Sequence, residues 1–309
     1  MKVQYIDTNG YRDCIEISNQ DTRLVLEPSC GGRILYFEHK GVNLLFIDPD
    51  EDGYLLESGK PPKSPLSPCA GRCDIGPEMT TPPHPGLWLG RWKATILDSG
   101  TVEMISPHDP GTGLRLRRYF SLDEHLTKLK FNQVIRNEGE EAVKHFHWSR
   151  TFCRGGGIAV APLNERSRYP EGYLVYGPGE VMNYRPAGDP AVIREGGLLQ
   201  IVAPPLHQKF ALDLSEGWLA YLTRESRLLV KKFPVYGGRI YGEMASNNMS
   251  FWYNGDDMCE VEVIGPEELI EPGEEADFTE TWYAMEYLYP GRTSVEGTKI
   301  RKIIDLLTM

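Results

Sequence analysis

The feature that most constrains this chain is alternation with a period of two, recurring from one end to the other and broken by turn residues. Successive side chains of a strand point to opposite faces, so such alternation marks strands with one face buried. Arg23 to Glu27, Arg33 to Phe37 and Val102 to Ile105 read as short strands between Gly, Pro, Asn and Asp clusters. Lys128 to Ile135 places Leu129, Phe131 and Ile135 on one face, with Lys128, Lys130 and Asn132 on the other. Leu114 to Phe120 alternates until Arg117-Arg118, and the last strands, Met258 to Ile264 and Asp277 to Met285, are joined through Pro272-Gly273. Helical periodicity is confined to the C-terminus, where Ile300, Ile303, Ile304 and Leu307 predict one short amphipathic helix. The 23 prolines and 32 glycines are spread throughout, as many strands and many loops require. With no internal repeat and no low-complexity linker, the expectation is an all-β fold, one large twisted β-sandwich over residues 1–309.

Charge and composition exclude some functions. A net charge of -11 is unsuited to a nucleic-acid surface, which needs clustered Lys and Arg, so no nucleic-acid partner is expected. No apolar run is long enough to span a bilayer, so no membrane partner is expected either. The start of the chain has no signal-like apolar stretch and the six cysteines are scattered, which points to free thiols in a reducing cytoplasm unless a leader has been removed. Cys69 and Cys73 are spaced like half a zinc site but have no second Cys/His pair nearby, so no metal is expected. Asp256-Asp257 reads as a solvated turn. Oligomeric state is not legible.

Three stretches could carry chemistry. Residues 71–92 set Arg72, Asp74, Glu78 and His84 among Gly and Pro, with Trp88 and Trp92 close behind. Sugar sites commonly pair an aromatic platform under the C–H face of the ring with charged hydrogen-bonding groups around the hydroxyls. An ordinary structured loop, with Arg72 paired to Asp74 or Glu78, accounts for the same residues. In Val143 to Arg150, alternation puts His145, His147 and Ser149 on one face and Phe146 and Trp148 on the other. If the aromatics are core, the histidines line the opposite face, where imidazole can act as acid or base. In Cys259 to Pro266, Glu260 and Glu262 share one face while Val261 and Val263 point to the core. Two nearby carboxylates raise one another's pKa, which makes one of them a useful base.

Taken in order, these stretches resemble the galactose mutarotase-like (aldose 1-epimerase) superfamily over roughly residues 20–287. Pro28 to Ile34 is similar to its "P-x-x-GG-R-I" opening, and Gly71-Arg72 and then His84 before Gly86 look like its Gly-Arg and His-Gly-Gly segments. His147 matches its second histidine. Glu262, or alternatively Glu260, matches its late catalytic Glu, and Pro272-Gly273 before Phe278 and Trp282 matches its closing hairpin. The chain departs from the pattern at Pro85, Phe146 and Val263-Ile264.

The resemblance implies a β-sandwich that binds a mono- or oligosaccharide and interconverts its anomers. Glu262 would take the proton of the anomeric hydroxyl while protonated His147 donates to the ring oxygen, with His84 and Arg72 holding the ring oxygen and hydroxyls. Asp74, Glu78, Trp88 and His145 complete the expected sugar-binding set, and no cofactor is called for. Two other expectations stand beside this one: a sugar-binding protein without turnover, and polysaccharide cleavage of the lyase or glycoside hydrolase kind, for which Tyr241 and Lys232 are candidates.

Overall fold

The computed structural model describes residues 1–64 and 66–307. Among them the strands form two antiparallel sheets, one of 13 strands and one of 10, with the helix Gly297–Leu306 near the C-terminus. This is the expected all-β sandwich. The strands Lys128–Asn137, Met258–Ile264 and Glu275–Glu286 and the terminal helix fall where the alternation and the helical period place them. Among the described residues no helix is long and apolar enough to cross a membrane. The six cysteines are free and buried.

The main core fills the space between the sheets. Leu26, Ile34, Cys73, Val261 and Val263 of the larger sheet meet Phe120, Phe131, Phe278 and Trp282 of the smaller one in one apolar cluster. Aromatic packing organises its centre: Phe120 stacks on Phe131 at 4.8 Å, and Trp282 makes edge contacts with Phe37 and Phe131.

Buried charges tie this core together. The strand Leu114–Leu122 alternates without a break because Arg118 points inward, which the sequence reading did not foresee. Its guanidinium crosses to the other sheet, donating to the carbonyls of Gly31, Gly32 and Cys73 at 2.6–2.9 Å and lying over Trp92. Lys231, fully buried, pairs with Glu280 at 3.0 Å and donates across the core to Ser149 Oγ and Thr151 Oγ1.

Arg33, the arginine of the Gly-Gly-Arg run, is a third buried hub, but on the outer side of the larger sheet, beside Tyr11 and Cys30. It pairs with Glu51, lies 3.6 Å from Glu27, donates to Tyr11 Oη and holds the carbonyl of Cys69 at 2.9 Å. Glu51 in turn accepts from the Cys69 N–H at 3.0 Å. The loop that delivers the strand Gly71–Gly76 is thereby anchored to the strand Arg33–His39.

These cross-sheet contacts decide which face of the strand Val143–Arg154 is the interior, and they reverse the expectation for its histidines. Ser149 and Thr151 meet Lys231 from the opposite sheet, and His147 stacks on Phe278 at 5.9 Å. His147 therefore lies between the sheets, only 3% exposed. Phe146 and Trp148 are also buried, but on the outer side, in a separate cluster with Ile264. Gly76 faces Phe146 across the strand pair, and a Cβ there would stand 2.1 Å from its ring. His145 shares the inward parity and sits beside the carbonyl of Gly76 at 3.1 Å.

Two outcomes follow. Replacing Arg33 by Ala leaves Glu51 and Glu27 buried without their cation, and loss of one partner of a buried pair costs about 3–5 kcal/mol; Arg224→Ala, which breaks the half-exposed pair with Asp256, costs less than about 1 kcal/mol. Urea unfolding of both variants reads the contrast. Burial, aided by the Arg118 charge, also depresses the His147 pKa to about 3. The unfolded chain then binds a proton below about pH 6.5 that the folded chain refuses, so this residue makes stability fall as pH drops from about 6.5 toward 3, by about 1.4 kcal/mol per unit. In a histidine NMR titration His147 stays neutral through that window, and the stability slope is shallower in His147→Phe.

Candidate functional site

The site is set by register. Residues directly opposite each other on paired antiparallel strands share a face. Arg150 faces Arg72 on one side and Glu262 on the other, and Glu262 faces Ser250. One step along, Phe152 faces Glu260, Glu260 faces Trp252, and Trp252 faces Lys209. One step the other way, Trp148 faces Asp74 and Ile264. Residues far apart in the chain thus form three adjacent rows on the outer face of the larger sheet. Val261 and Val263 take the inner face, as expected.

Over these rows lies a cavity of about 450 Å³, lined by Arg72, Glu78, Trp88, Arg150, Phe152, Lys209, Trp252, Glu260 and Glu262 with Leu66. A neighbouring cavity of about 680 Å³ shares Lys209 and Trp252 with it and continues past Tyr176 and His207. The two form one extended groove.

Trp88 reaches the groove from the short helix Pro85–Trp88. That helix packs on Gly31, whose φ of +75° favours glycine and where a Cβ would lie 2.1 Å from the Trp88 carbonyl oxygen. Backbone bonds from Gly31 N–H to the Gly90 carbonyl and from Trp92 N–H to the Pro28 carbonyl lock the approach. The Gly-Gly of the early motif thus positions the aromatic wall, and Arg72 lies over the Trp88 ring at 4.5 Å.

The two carboxylates of the floor are held differently. Glu260 receives Arg150 Nε at 2.7 Å and Nη2 at 3.5 Å. Glu262 accepts the Trp148 indole N–H at 3.1 Å. Burial and then the neighbouring Glu260 charge raise the Glu262 pKa to about 7, against the opposing pull of Lys209 and Arg150. Burial works against the charge of Lys209, yet Glu262 and Glu78 outweigh it and hold its pKa above the ordinary lysine value. Its ammonium sits 5.7 Å from the ring centre of Trp148 and 5.3 Å from that of Tyr176.

Beside the lining stands a His–Asp pair. His84 Nε2 lies 2.8 Å from Asp74 Oδ1, and Nδ1 lies 2.6 Å from the Pro82 carbonyl oxygen. Both neighbours are acceptors, so the ring is held as imidazolium. Burial opposes that charge, but the bond and charge of Asp74 prevail and raise the His84 pKa. Asp74 is lowered, since His84 and Arg72 outweigh its own burial.

Of the residues the sequence singled out, Glu260, Glu262, Arg72, Glu78 and Trp88 line one cavity, and Asp74 and His84 adjoin it. His147 and His145 do not: they belong to the inward-facing row, so His147 is not in reach of the groove as a proton donor. Sequence reasoning missed Arg150, Trp148, Lys209 and Trp252. The first two were legible once Arg150 was paired with Glu262, whereas nothing local marks Lys209 or Trp252. Tyr241 lines a separate cavity, and Lys232 donates to the carbonyls of Ile304 and Leu307 at the end of the helix. Among the described residues, no three His, Cys, Asp or Glu side chains gather as a metal cage. Asp256 is ion-paired with Arg224 and Arg292.

No family model and no curated protein matches the sequence. Solved structures do. The Slr1438 protein of Synechocystis sp. PCC 6803 is 14% identical, with a TM-score of 0.59 over 91% of this chain and 99% of its own. A galactose mutarotase-like protein from Clostridium acetobutylicum is 10% identical, with a TM-score of 0.59 over 92% of this chain and 98% of its own. A galactose mutarotase-like protein from Lactobacillus casei is 11% identical, with a TM-score of 0.57 over 88% of this chain and 100% of its own. At that sequence distance the likeness is one of fold, and the fold of this chain is the galactose mutarotase-like β-sandwich.

Proposed function

We propose that the groove binds a sugar and that Glu262 is the base that interconverts its anomers. The observation that carries this reading is a buried carboxyl on the floor of an aromatic-walled cavity, beside a second carboxylate held by its own arginine; burial and that neighbouring charge raise its pKa to about 7. A general base works best when its pKa lies near the working pH. Trp88 and Trp252 offer flat apolar surface to the C–H face of a pyranose, and the charged side chains between them suit its hydroxyls. The fold is that of proteins described as galactose mutarotase-like.

In this reading ionised Glu262 removes the proton of the anomeric hydroxyl as the bond between C1 and the ring oxygen breaks. The leaving ring oxygen takes a proton from Lys209, the ammonium that lines the same cavity as Glu262, in place of the imidazole first expected. Rotation about C1–C2 and the reverse transfers close the ring as the other anomer, returning both protons to their starting groups. The polysaccharide-cleaving alternative loses support, because Glu260 and Glu262 stand side by side on one strand and Glu260 is engaged by Arg150. Sugar binding without turnover is favoured by a different observation: among the described residues, no histidine lines the cavity that holds Glu262.

Exchange NMR between the anomers of a bound sugar separates these readings. Catalysed exchange rises with pH through an inflection near 7, where Glu262 ionises, and Glu262→Gln slows it by about 10²-fold or more without moving the unfolding midpoint downward. Binding with no exchange above the solvent rate in the unmodified protein would leave the non-catalytic reading standing.

A further inference from the structure

The cations along the groove are not all met by hydrogen-bond acceptors. Arg150 is matched by Glu260 at 2.7 Å. Arg72, directly opposite Arg150 on the neighbouring strand, has no such match. None of its guanidinium N–H groups makes a hydrogen bond to the described residues, its buried Nε among them, and its one ionic contact with them is Asp74 at 3.9 Å. Asp74 already serves His84 at 2.8 Å. Asp74 is therefore shared between His84 and Arg72, and the guanidinium is left with donors that no side chain among the described residues fills.

The cost of that arrangement is visible in Arg72 itself. Burial, with the nearby Arg150 charge, pulls its pKa down to about 10, still high enough to keep it charged at neutral pH. Arg72 Nε is shut off from water without a partner, which is unfavourable, while the rest of the guanidinium, on a side chain 12% exposed, borders the cavity. The guanidinium lies flat on Trp88, which orients its planar donor edge, and Arg72 lines the cavity. A planar fork of this kind matches two oxygens of one anionic group.

Resting on the sugar-binding reading above, we propose that the substrate is an acidic sugar, whose carboxylate or phosphate is received by Arg72 on its Trp88 platform while the sugar ring lies toward Glu262. Arg72 is then a specificity residue for charge, and its open donors are filled when the anionic group of the ligand is bound.

The test is isothermal titration of the full-length protein with acid and neutral forms of the same rings: galacturonate against galactose, glucuronate against glucose, and glucose phosphorylated on its primary hydroxyl against glucose. The acid form binds about tenfold or more tightly than its neutral parent, and added salt narrows the gap. Preference for the uronates identifies the anion as a carboxylate; preference for the sugar phosphate identifies it as a phosphate. Arg72→Gln abolishes the preference, and Arg72→Lys, which keeps the charge and loses the fork, retains part of it; the rescue by Lys shows that a lost preference is not a lost fold. Equal affinity for acid and neutral forms in the unmodified protein, or an undiminished preference in Arg72→Gln, overturns the proposal while leaving neutral-sugar exchange by Glu262 intact. Failure of every sugar to bind overturns both readings.

Discussion

The site rests on one constraint, the antiparallel pairing that puts Arg150 between Arg72 and Glu262. Three strands from separate parts of the chain, Gly71–Gly76, Val143–Arg154 and Met258–Ile264, run side by side, and their register determines the face of every side chain they carry. A slip of one residue would send each strand's groove residues into the core. Such a slip is opposed from the inner face, where Ser149 and Thr151 receive Lys231 and the Cys73 carbonyl receives Arg118. The groove on the outside is therefore held by polar bonds on the inside.

Those interior charges share a pattern that the groove breaks. Arg33 is met by Glu51 and by carbonyl and hydroxyl oxygens, Arg118 by three carbonyls, and Lys231 by Glu280 and two hydroxyls. Each of these cations donates to several acceptors of the protein itself, as burial of charge demands, although Arg33 Nε has none of its own. Arg72 is the exception, and it lines a cavity. Departures from local consistency collect where a protein meets its ligand, because the missing partner arrives from outside.

Much of the fold was legible because alternation and turn residues are local signals. The pairing of Glu260 with Glu262 on one face was legible for the same reason. Alternation, however, gives parity and not sign: it shows that His145, His147 and Ser149 share a face without showing which face is the groove. Phe146 and Trp148 suggested the core by their hydrophobicity, yet they are buried on the outer side, where Trp148 bonds to Glu262. Only the pairing partner fixes the sign, and that partner lies about a hundred residues away. The same limit hid the inward-pointing Arg118, and Lys209 and Trp252, which join the site through two further strand pairings.

Register also explains why two neighbouring glutamates are suited to different tasks. Glu260 and Glu262 leave the same strand on the same side and are both excluded from water. Arg150 stands opposite Glu262 in the ladder, but its guanidinium bonds to Glu260, two residues along. Glu260 is thereby tied to a cation in contact, whereas Glu262 has an indole N–H and a more distant ammonium, and feels the Glu260 charge beside it. A diagonal contact across one strand pair is what distinguishes the two carboxyls: Glu260 is held by a cation, and Glu262, bonded only to an indole N–H, is left open to the cavity.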